Sequence, residues 1–220
     1  MNVTKRSELR RYPDRGSHDA STIHAILDAG FLAHVGFAVN GQPFVIPTLY
    51  GRCGDKLYMH GSAASRMLRE LQGGTPACVA VTIIDGLVLA RSAFHHSMNY
   101  RSVVAFGTAQ KIQETERILE ALRVISEHMI AGRWADVRGP SEKELKATMV
   151  LEFSIEETST KIRKGPPIDE EEDYALPFWA GIVPISLSAG KPESDPKMRA
   201  RNDVPTYIRD YEARLKNNRS

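Results

Sequence analysis

The sequence predicts a mainly β fold with peripheral helices, of the α+β class, organised as an antiparallel barrel or sandwich. About six strand-like segments follow one another between residues 31 and 112, and most of the connections between them are short. Segments with helical periodicity lie mainly outside this run, whereas a parallel α/β sheet would alternate helices with strands. The pattern therefore favours antiparallel neighbours.

The clearest local prediction is a β-hairpin near the start of the chain. Residues 31–39 alternate and are rich in Val, Phe and Ala, and residues 44–50 resume the pattern after Asn40-Gly41, a dipeptide typical of two-residue hairpin turns. A second turn leads into a strand over residues 56–60. Pro47, inside an apolar strand, predicts an edge or a bulge, where backbone groups are left free for a ligand.

Glycines mark the later strands. Asp85-Gly86 interrupts an apolar stretch and is predicted to turn the chain between two strands. Gly107, inside a long strand, indicates a bulge or a close approach of two backbones. These later strands are expected over residues 77–84, 87–94, 100–112, 149–155 and 178–187.

Apolar periodicity and capping residues predict the helices. Ser21 is expected to cap a short helix that stops at Gly30, and Thr115 is expected to cap a longer one whose apolar residues fall on one stripe. Ser141 and Glu144 form a capping-box pattern for a further short helix.

The predicted elements divide the chain into three regions. Residues 1–20 carry several arginines and little to bury, so they form an N-terminal arm, lying either over the domain or a neighbouring subunit, or free in solvent. Residues 21–187 form one folded domain. Residues 188–220 are Pro-rich and charged, which predicts an extended tail with a marginal helix near residues 207–215.

Composition excludes several classes of protein. The hydrophobic share of 42%, the charged share of 25% and the net charge of +2 are ordinary for a globular chain. Basic residues are interspersed with acidic ones, so nucleic-acid binding is not indicated, and no apolar run reaches the roughly 20 residues of a membrane helix. The two cysteines are too few for a disulfide framework or a zinc ligand set. We therefore expect a cytoplasmic protein with no metal site.

Residues 57–66 form a candidate phosphate cradle. They predict a strand that turns tightly into a helix, where Gly61 allows a ligand close to the backbone and Ser62 can cap the helix. The free N–H groups of a first helical turn favour an anion, and Ser65 and Arg66 would add a hydroxyl and a charged fork. A capped surface helix with a solvated arginine is the alternative.

Other side chains give weaker signals. No nucleophile-elbow, P-loop or metal-helix pattern is present, so an enzymatic function would depend on a bound cofactor. His60 borders the cradle, although a structural histidine is equally compatible, and His95-His96 is a poor ligand pair because neighbours on an extended chain point to opposite sides. Ser92 and residues 99–102 form a polar, aromatic and cationic cluster around a turn, or an ordinary cross-strand surface.

Taken in order, residues 41–50, 57–66, 85–92 and 99–107 resemble the pyridoxamine 5'-phosphate oxidase-related, FMN-binding split-barrel family. Within that family the chain is most similar to the flavin-nucleotide-binding, pyridoxamine phosphate oxidase-like branch. The resemblance implies a six-stranded antiparallel split β-barrel that works as a homodimer, with FMN at the subunit interface. It covers roughly residues 10–187.

The resemblance also implies cofactor-binding residues. The backbone of one strand would run along the isoalloxazine ring, at Ile46, Pro47, Thr48 and Leu49. The cradle would hold the ribityl and phosphate end, at His60, Gly61, Ser62, Ser65 and Arg66. A strand pair would close over the flavin, at Arg91, Ser92, Tyr100, Arg101 and Ser102. Trp179 would supply an aromatic wall from the partner subunit, or else belong to the barrel core.

Two departures from the family pattern weaken the case for a vitamin B6 substrate. Family oxidases place a Lys directly after the Ser-Arg pair, where this chain has Met67, and nothing from Trp179 onward resembles their terminal Arg-Leu-His-Asp-Arg motif. The leading hypothesis is an FMN-dependent oxidoreductase that transfers hydride between the flavin and an unidentified small molecule, with no catalytic side chain identified. Alternatives are a non-catalytic FMN carrier or sensor, or a barrel that binds a deazaflavin. Haem in place of flavin is the weakest of the alternatives, because the cradle suits a phosphorylated ligand.

Overall fold

The structure is a computed structural model that describes residues 4–199 and 203–217. Its strands are β1 (Leu32–Val39), β2 (Gln42–Leu49), β3 (Gly51–Cys53), β4 (Lys56–Ser62), β5 (Gly73–Leu89), β6 (Ser97–Lys111), β7 (Thr148–Arg163) and β8 (Gly181–Pro184). Its α-helices are α1 (Ala20–Ala29), α2 (Arg66–Leu71), α3 (Thr115–Met129), α4 (Glu142–Ala147), α5 (Thr206–Arg209) and α6 (Tyr211–Asn217). None of these helices is long and apolar enough to cross a membrane.

The strands form one antiparallel eight-stranded sheet in the order β2-β1-β5-β6-β7-β4-β3, and β8 adds to β5. The sheet curls until β2, at one end, contacts β4, near the other end. These two strands share no hydrogen-bonded ladder, so the barrel stays open between them. We call this gap the split. The predicted α+β fold with an antiparallel split barrel is confirmed. The sheet has eight strands where the family resemblance implies six: β8 lies within the strand predicted over residues 178–187, and the short β3 was not predicted.

Apolar side chains from the strands fill the barrel, and two helices close it. Buried strand residues include Val35, Leu57, Met59, Val79, Val103, Leu151 and Phe153. Helix α1 adds Ile23, Ile26 and Leu27, and α2 adds Met67, Leu68 and Leu71. Because α2 is anchored by three buried side chains, the residues at its start have a fixed position beside the split.

The turn predicted at Asp85-Gly86 is wrong. Strand β5 continues through it, with a register shift against β6 between Ile84 and Gly86. On its other side, β5 pairs with β8, and Gly86 lies opposite Pro184. Because both neighbours hydrogen-bond to this stretch, the chain remains extended where the dipeptide alone would favour a turn.

Helix starts differ from those predicted. Asp19, not Ser21, caps α1, and its carboxylate accepts a hydrogen bond from the Thr22 backbone at 2.8 Å. The Ser62 hydroxyl accepts from the Ala64 backbone at 3.2 Å in a turn before α2, so Ser62 is not the cap of that helix. Glu114, and not Thr115, occupies the N-cap position of α3.

Several local predictions are confirmed. Asn40 and Gly41 have positive φ angles of 51° and 80°, as a tight hairpin turn requires. Pro47 lies on β2, an edge strand. Gly107 sits at a register shift between β6 and β7, and a Cβ there would lie 1.9 Å from the Ser154 carbonyl oxygen. The capping box of Ser141 and Glu144 is present.

The N-terminal arm contacts the barrel, and the tail contacts the loop that follows α3. In the arm, Thr4 and Arg6 donate hydrogen bonds to Glu157 at 2.6 and 2.5 Å, and Gly16 forms a bridge with Lys161 on β7. In the tail, the Tyr207 hydroxyl donates to Asp136 at 2.6 Å. These contacts hold the arm against β7 and the tail against the loop after α3.

Candidate functional site

The cradle and the edge strand β2 face each other across the split. The Arg66 guanidinium lies over the ring of Phe44 on β2, 5.3 Å from its centroid. Phe44 in turn stacks on Phe37, with 5.5 Å between ring centroids. This contact joins the start of α2 to β2, so the two segments expected to hold the two ends of a flavin are neighbours in the structure.

Arg66 carries a charge that no acidic group neutralises. Among the described residues, no carboxylate oxygen lies within salt-bridge distance of its guanidinium, which is exposed at the start of α2. Beside it, the Ser65 side chain does not cap the helix, although Ser65 is the N-cap residue. An exposed planar cation next to a serine hydroxyl fits an anionic oxygen of a ligand.

Strand β2 offers a backbone edge to the same gap. It pairs with β1 on one side, from Leu32 opposite Leu49 to Val39 opposite Gln42, and no strand within residues 4–199 and 203–217 pairs with its other edge. Ile46 and Thr48 are half-buried, whereas Pro47 and Leu49 are exposed. Unpaired N–H and C=O groups along an edge strand can bind the polar edge of a ring.

Arg91 and Ser92, which are predicted to lie at the flavin, bind an acidic residue of the chain. Asp169 has a fully buried side chain that pairs with the Arg91 guanidinium at 3.2 Å and accepts hydrogen bonds from the backbone N–H groups of Arg91 and Ser92 at 2.9 and 3.2 Å. Burial acts to raise the pKa of Asp169, but these hydrogen bonds and the Arg91 charge outweigh it and lower the pKa. This cluster fixes the loop around residue 169 to the end of β5.

Tyr100, Arg101 and Ser102 lie at the start of β6, opposite Ile84, Ile83 and Thr82 on β5. Arg101 forms two hydrogen bonds with Asp85, at 3.0 and 2.8 Å, and the Ser102 hydroxyl donates to the Lys161 carbonyl at 3.4 Å. Strand β7 lies between β6 and β4: residues 100–102 pair with residues 161–163 at one end of β7, whereas Gly61 and Ser62 pair with Met149 and Thr148 at its other end. The structure therefore does not bring this group together with the cradle inside one chain.

Trp179 lies on the surface and not in the barrel core. Its side chain is 67% exposed and precedes β8, where its ring covers Gly181. The alternative that Trp179 is a core residue is wrong, and its ring is accessible to a ligand or a partner.

His60 is separated from the rest of the cradle. Met59 points into the core, so the alternation of β4 directs His60 to the opposite face. There it lines a cavity of about 440 Å³ that lies against α3 and that none of Ser62, Ser65 and Arg66 lines. This cavity is open to solvent and His60 is exposed on it, although the surrounding side chains lower the pKa of the imidazole below its usual value by desolvation.

Sequence reasoning missed this cavity and the role of Asp169. Leu122 and Met129 belong to the apolar stripe predicted for α3, but they line the cavity together with Trp134. No local pattern could have joined these residues to His60, because they are more than 60 positions away in the chain. For Asp169, the acidic run over residues 169–173 indicates a loop and gives no sign that one of its carboxylates is buried.

The profile of the pyridoxamine 5'-phosphate oxidase family matches residues 19–162, which is more than half of the chain. The chain belongs to this family. The resemblance inferred from its motifs is therefore confirmed. No curated protein matches the chain.

Two solved structures of the family are similar over almost the whole chain. The flavocytochrome Anf3 from Azotobacter vinelandii is 43% identical, with a TM-score of 0.87, and the match covers 93% of this chain and 95% of that one. The FAD and haem binding protein from Mycobacterium smegmatis is 38% identical, with a TM-score of 0.84 and coverage of 89% and 96%. These similarities support a flavin cofactor for this chain.

Proposed function

We propose that this protein is a redox protein that binds FAD and haem and works as a homodimer. The flavin part is carried by one observation: the Arg66 guanidinium, which has no acidic partner among the described residues, lies beside Ser65 at the split and opposite the edge strand β2. The haem part is supported by the names of the two similar structures, at 43% and 38% identity. FMN remains the alternative flavin.

Residues at the split would bind the two ends of the flavin. Arg66 and the hydroxyls of Ser62 and Ser65 suit phosphate oxygens, because charge-assisted hydrogen bonds are the strong ones. The backbone of residues 46–49 would bind the polar edge of the ring system, and Pro47 there lacks an N–H group and leaves only an acceptor. When bound, a flavin exchanges hydride or single electrons, and haem iron exchanges single electrons.

The position after Arg66 supports a substrate other than pyridoxamine phosphate. Met67 is 4% exposed and packs in the core, so this position does not present a side chain to a ligand. A lysine at the same position would have to bury its charge or displace α2. Met67, which replaces the lysine of the family oxidases, therefore packs in the core and is not available to bind a substrate.

A dimer is supported by an apolar surface around β8. Leu87 and Val183 form a cross-strand pair and are 44% and 41% exposed. Nearby, Trp179 is 67% exposed and Phe94, just beyond the end of β5, is 87% exposed. Monomeric proteins rarely leave neighbouring apolar side chains open to water in this way. A second subunit on this surface would also bring its Trp179 close to groups at the ends of β5 and β6.

The proposal is tested by loading the purified protein with FAD, FMN and haemin and measuring retained flavin and haem per subunit. We expect near-stoichiometric FAD and haem, and a dimer in light scattering. Anaerobic reduction with a nicotinamide nucleotide should then bleach the flavin absorbance and shift the haem Soret band. Retention of flavin with neither reduction nor haem would instead indicate a non-catalytic flavin carrier.

A further inference from the structure

A cavity separate from the one at His60 lies between the N-terminal arm and the end of β7. Its volume is about 490 Å³, within the usual range for small-molecule sites. Arm residues 14–16 form one wall, and the last residues of β7 with the loop after it form the other. The bridge between Gly16 and Lys161, and a hydrogen bond from the Ser17 backbone to the Thr160 carbonyl at 3.4 Å, hold the arm in this position. We call this space the arm cavity.

The lining of the arm cavity carries an excess of positive charge. Three cationic side chains line it, Arg15, Arg163 and Lys164, against the one carboxylate of Asp14. Within the described residues, no carboxylate lies within salt-bridge distance of any of these three cations. Burial and the nearby charge of Arg15 lower the pKa of Arg163, as expected where like charges converge. An anion in the cavity would relieve this repulsion.

Arg163 is the buried member of this group, with 7% of its surface exposed. Its guanidinium donates to the side-chain carbonyl of Asn99 and to the backbone carbonyls of Gly165 and Pro166, the latter two at 3.1 Å. The Nε–H group and the second N–H group of Nη2 have no partner in the part of the chain that the structure describes. Carbonyl oxygens orient a guanidinium without neutralising it, whereas buried charges are normally paired. The missing partner of Arg163 is therefore an anion.

The loop beside Arg163 is fixed without a ligand. The Asn99 side chain is buried, accepts from Arg163 through its oxygen and donates through its nitrogen to the Gly165 carbonyl at 3.2 Å. Gly165 has a φ angle of 111°, which glycine adopts at little cost. Because both walls are held by hydrogen bonds, a ligand would enter a preformed cavity and would not have to order it.

The other side chains of the arm cavity suit the organic part of a ligand. Ile162 is half-buried, and Ile168 is 67% exposed on the opposite wall. A phosphate monoester carries a charge of about −1.5 to −2 at pH 7, which complements the excess of positive charge. Its oxygens accept charge-assisted hydrogen bonds from guanidinium groups. The cavity is also larger than a free phosphate ion requires.

We propose that the arm cavity binds a small organic phosphate, with the phosphate group between Arg15 and Arg163 and the organic part against Ile162 and Ile168. Arg163 is the last residue of β7, whereas Gly61 and Ser62 of the cradle pair with the first two residues of that strand. The site is therefore distinct from the flavin cradle of the same subunit. Binding here requires neither flavin nor haem.

Calorimetric titration of the purified protein with phenyl phosphate, before and after addition of flavin, tests this site. We expect phenyl phosphate to bind more tightly than inorganic phosphate, because its ring covers Ile162 and Ile168. Benzoate, with a single charge, should bind more weakly, and phenol should not bind. Added flavin should leave the affinity for phenyl phosphate unchanged.

Variants of the lining locate the phosphate group. Arg15→Gln should lower the affinity for phenyl phosphate by at least about tenfold, the effect of losing a hydrogen bond to a charged group. Lys164→Gln, at an exposed position, should lower it in the same direction. Arg10→Gln is the matched control, since this arm arginine pairs with Glu8 at 3.9 Å and does not line the cavity. Its affinity should match wild type.

Several results would overturn the assignment. The site is wrong if phenyl phosphate does not bind, or if Arg15→Gln and Lys164→Gln bind it as tightly as wild type. Tighter binding of benzoate would make the ligand a carboxylate and not a phosphate. Loss of phenyl phosphate binding on addition of flavin would assign the cavity to the flavin site of an assembled dimer. Protein that binds phenyl phosphate as expected but takes up no flavin would support this site and contradict the proposed function.

Discussion

The guanidinium groups of Arg66 and Arg91 have opposite surroundings. Arg66 is exposed at the split, lies over an aromatic ring, and has no acidic partner among the described residues. Arg91 lies at the end of β5 against the fully buried carboxylate of Asp169, 3.2 Å away, and its guanidinium also covers the Tyr174 ring. The first charge is available to a ligand, whereas the second already holds two parts of the chain together.

The family resemblance predicts that both arginines lie at the flavin, but their surroundings show that only one of them has a charge available to a ligand. Both arginines follow the end of a strand and both match positions expected at the flavin. A charge with a buried partner stabilises the fold and can bind a ligand only by giving up that partner. Removing Arg66 should therefore affect ligand binding, and removing the partner of Arg91 should affect stability.

Asp169→Ala should have the largest effect. It removes a buried carboxylate that pairs with Arg91 and accepts hydrogen bonds from the backbone of Arg91 and Ser92. We expect a loss of about 3 kcal/mol in the free energy of unfolding, because breaking a buried ion pair leaves one charge uncompensated. Urea unfolding of wild type and Asp169→Ala measures this loss. The exposed pair of Arg123 and Glu120 gives the control, since Glu120→Ala should cost less than about 1 kcal/mol. Similar losses for both would mean that the Arg91 pair is not structural.

Arg66→Ala should weaken flavin binding by about 1.5 to 3 kcal/mol, the range for hydrogen bonds to charged groups. Binding of riboflavin, which lacks the phosphate, should change much less. Stability should stay within about 0.5 kcal/mol, because the side chain is exposed and has no acidic partner in the part of the chain that the structure describes. Titration followed by flavin fluorescence measures both ligands, and Arg66→Lys keeps the charge without the planar fork. An equal loss for FMN and riboflavin would place Arg66 away from the phosphate.

Short sequence patterns correctly predicted those elements whose conformation depends only on a few neighbouring residues. The hairpin at Asn40-Gly41, the capping box at Ser141 and the bulge at Gly107 all follow from the conformational needs of a few adjacent residues, and all are confirmed. The fold class followed from the order of short strands. The Asp85-Gly86 turn was wrong because the neighbours β6 and β8 keep the chain extended there, and those pairings join distant positions.

The site was harder to predict, because a side chain's partner is set by the fold. The sequence shows that Arg66, Arg91 and Arg101 are cationic, but it does not show that Asp169 and Asp85 neutralise two of them. The cavity at His60 likewise requires α3 to pack against β4. Family motifs identify which segments lie near a flavin, and the structure shows which of their charges are still available.

The buried pair of Arg91 and Asp169 also predicts that the stability of the fold depends on pH. Burial acts to raise the pKa of Asp169, but its hydrogen bonds and the Arg91 charge give a net pKa below the usual value. The ionised group thus stabilises the fold above the unfolded-state pKa of about 3.9, and this contribution is lost as the pH falls through the lower, folded-state value. Wild type should lose stability more steeply than Asp169→Asn as the pH falls below about 4. Urea unfolding at a series of pH values measures the slopes. Equal slopes would show that Asp169 is not the titrating group.

Arg101→Gln should have the smallest effect. The guanidinium binds both carboxylate oxygens of Asp85, at 3.0 and 2.8 Å, next to the bulge of β5, and the two side chains are 22% and 36% exposed. A partly exposed pair contributes about 1 kcal/mol or less, so stability should fall by no more than that. Flavin affinity should change by less than about 0.5 kcal/mol, because the charge of Arg101 is already balanced.

Asp85→Asn provides the matched control, since it removes the carboxylate that binds Arg101 and keeps the arginine. If Arg101→Gln weakens FMN as much as Arg66→Ala does, a paired charge contributes to the flavin site as strongly as a free one. The distinction between the two kinds of arginine would then fail.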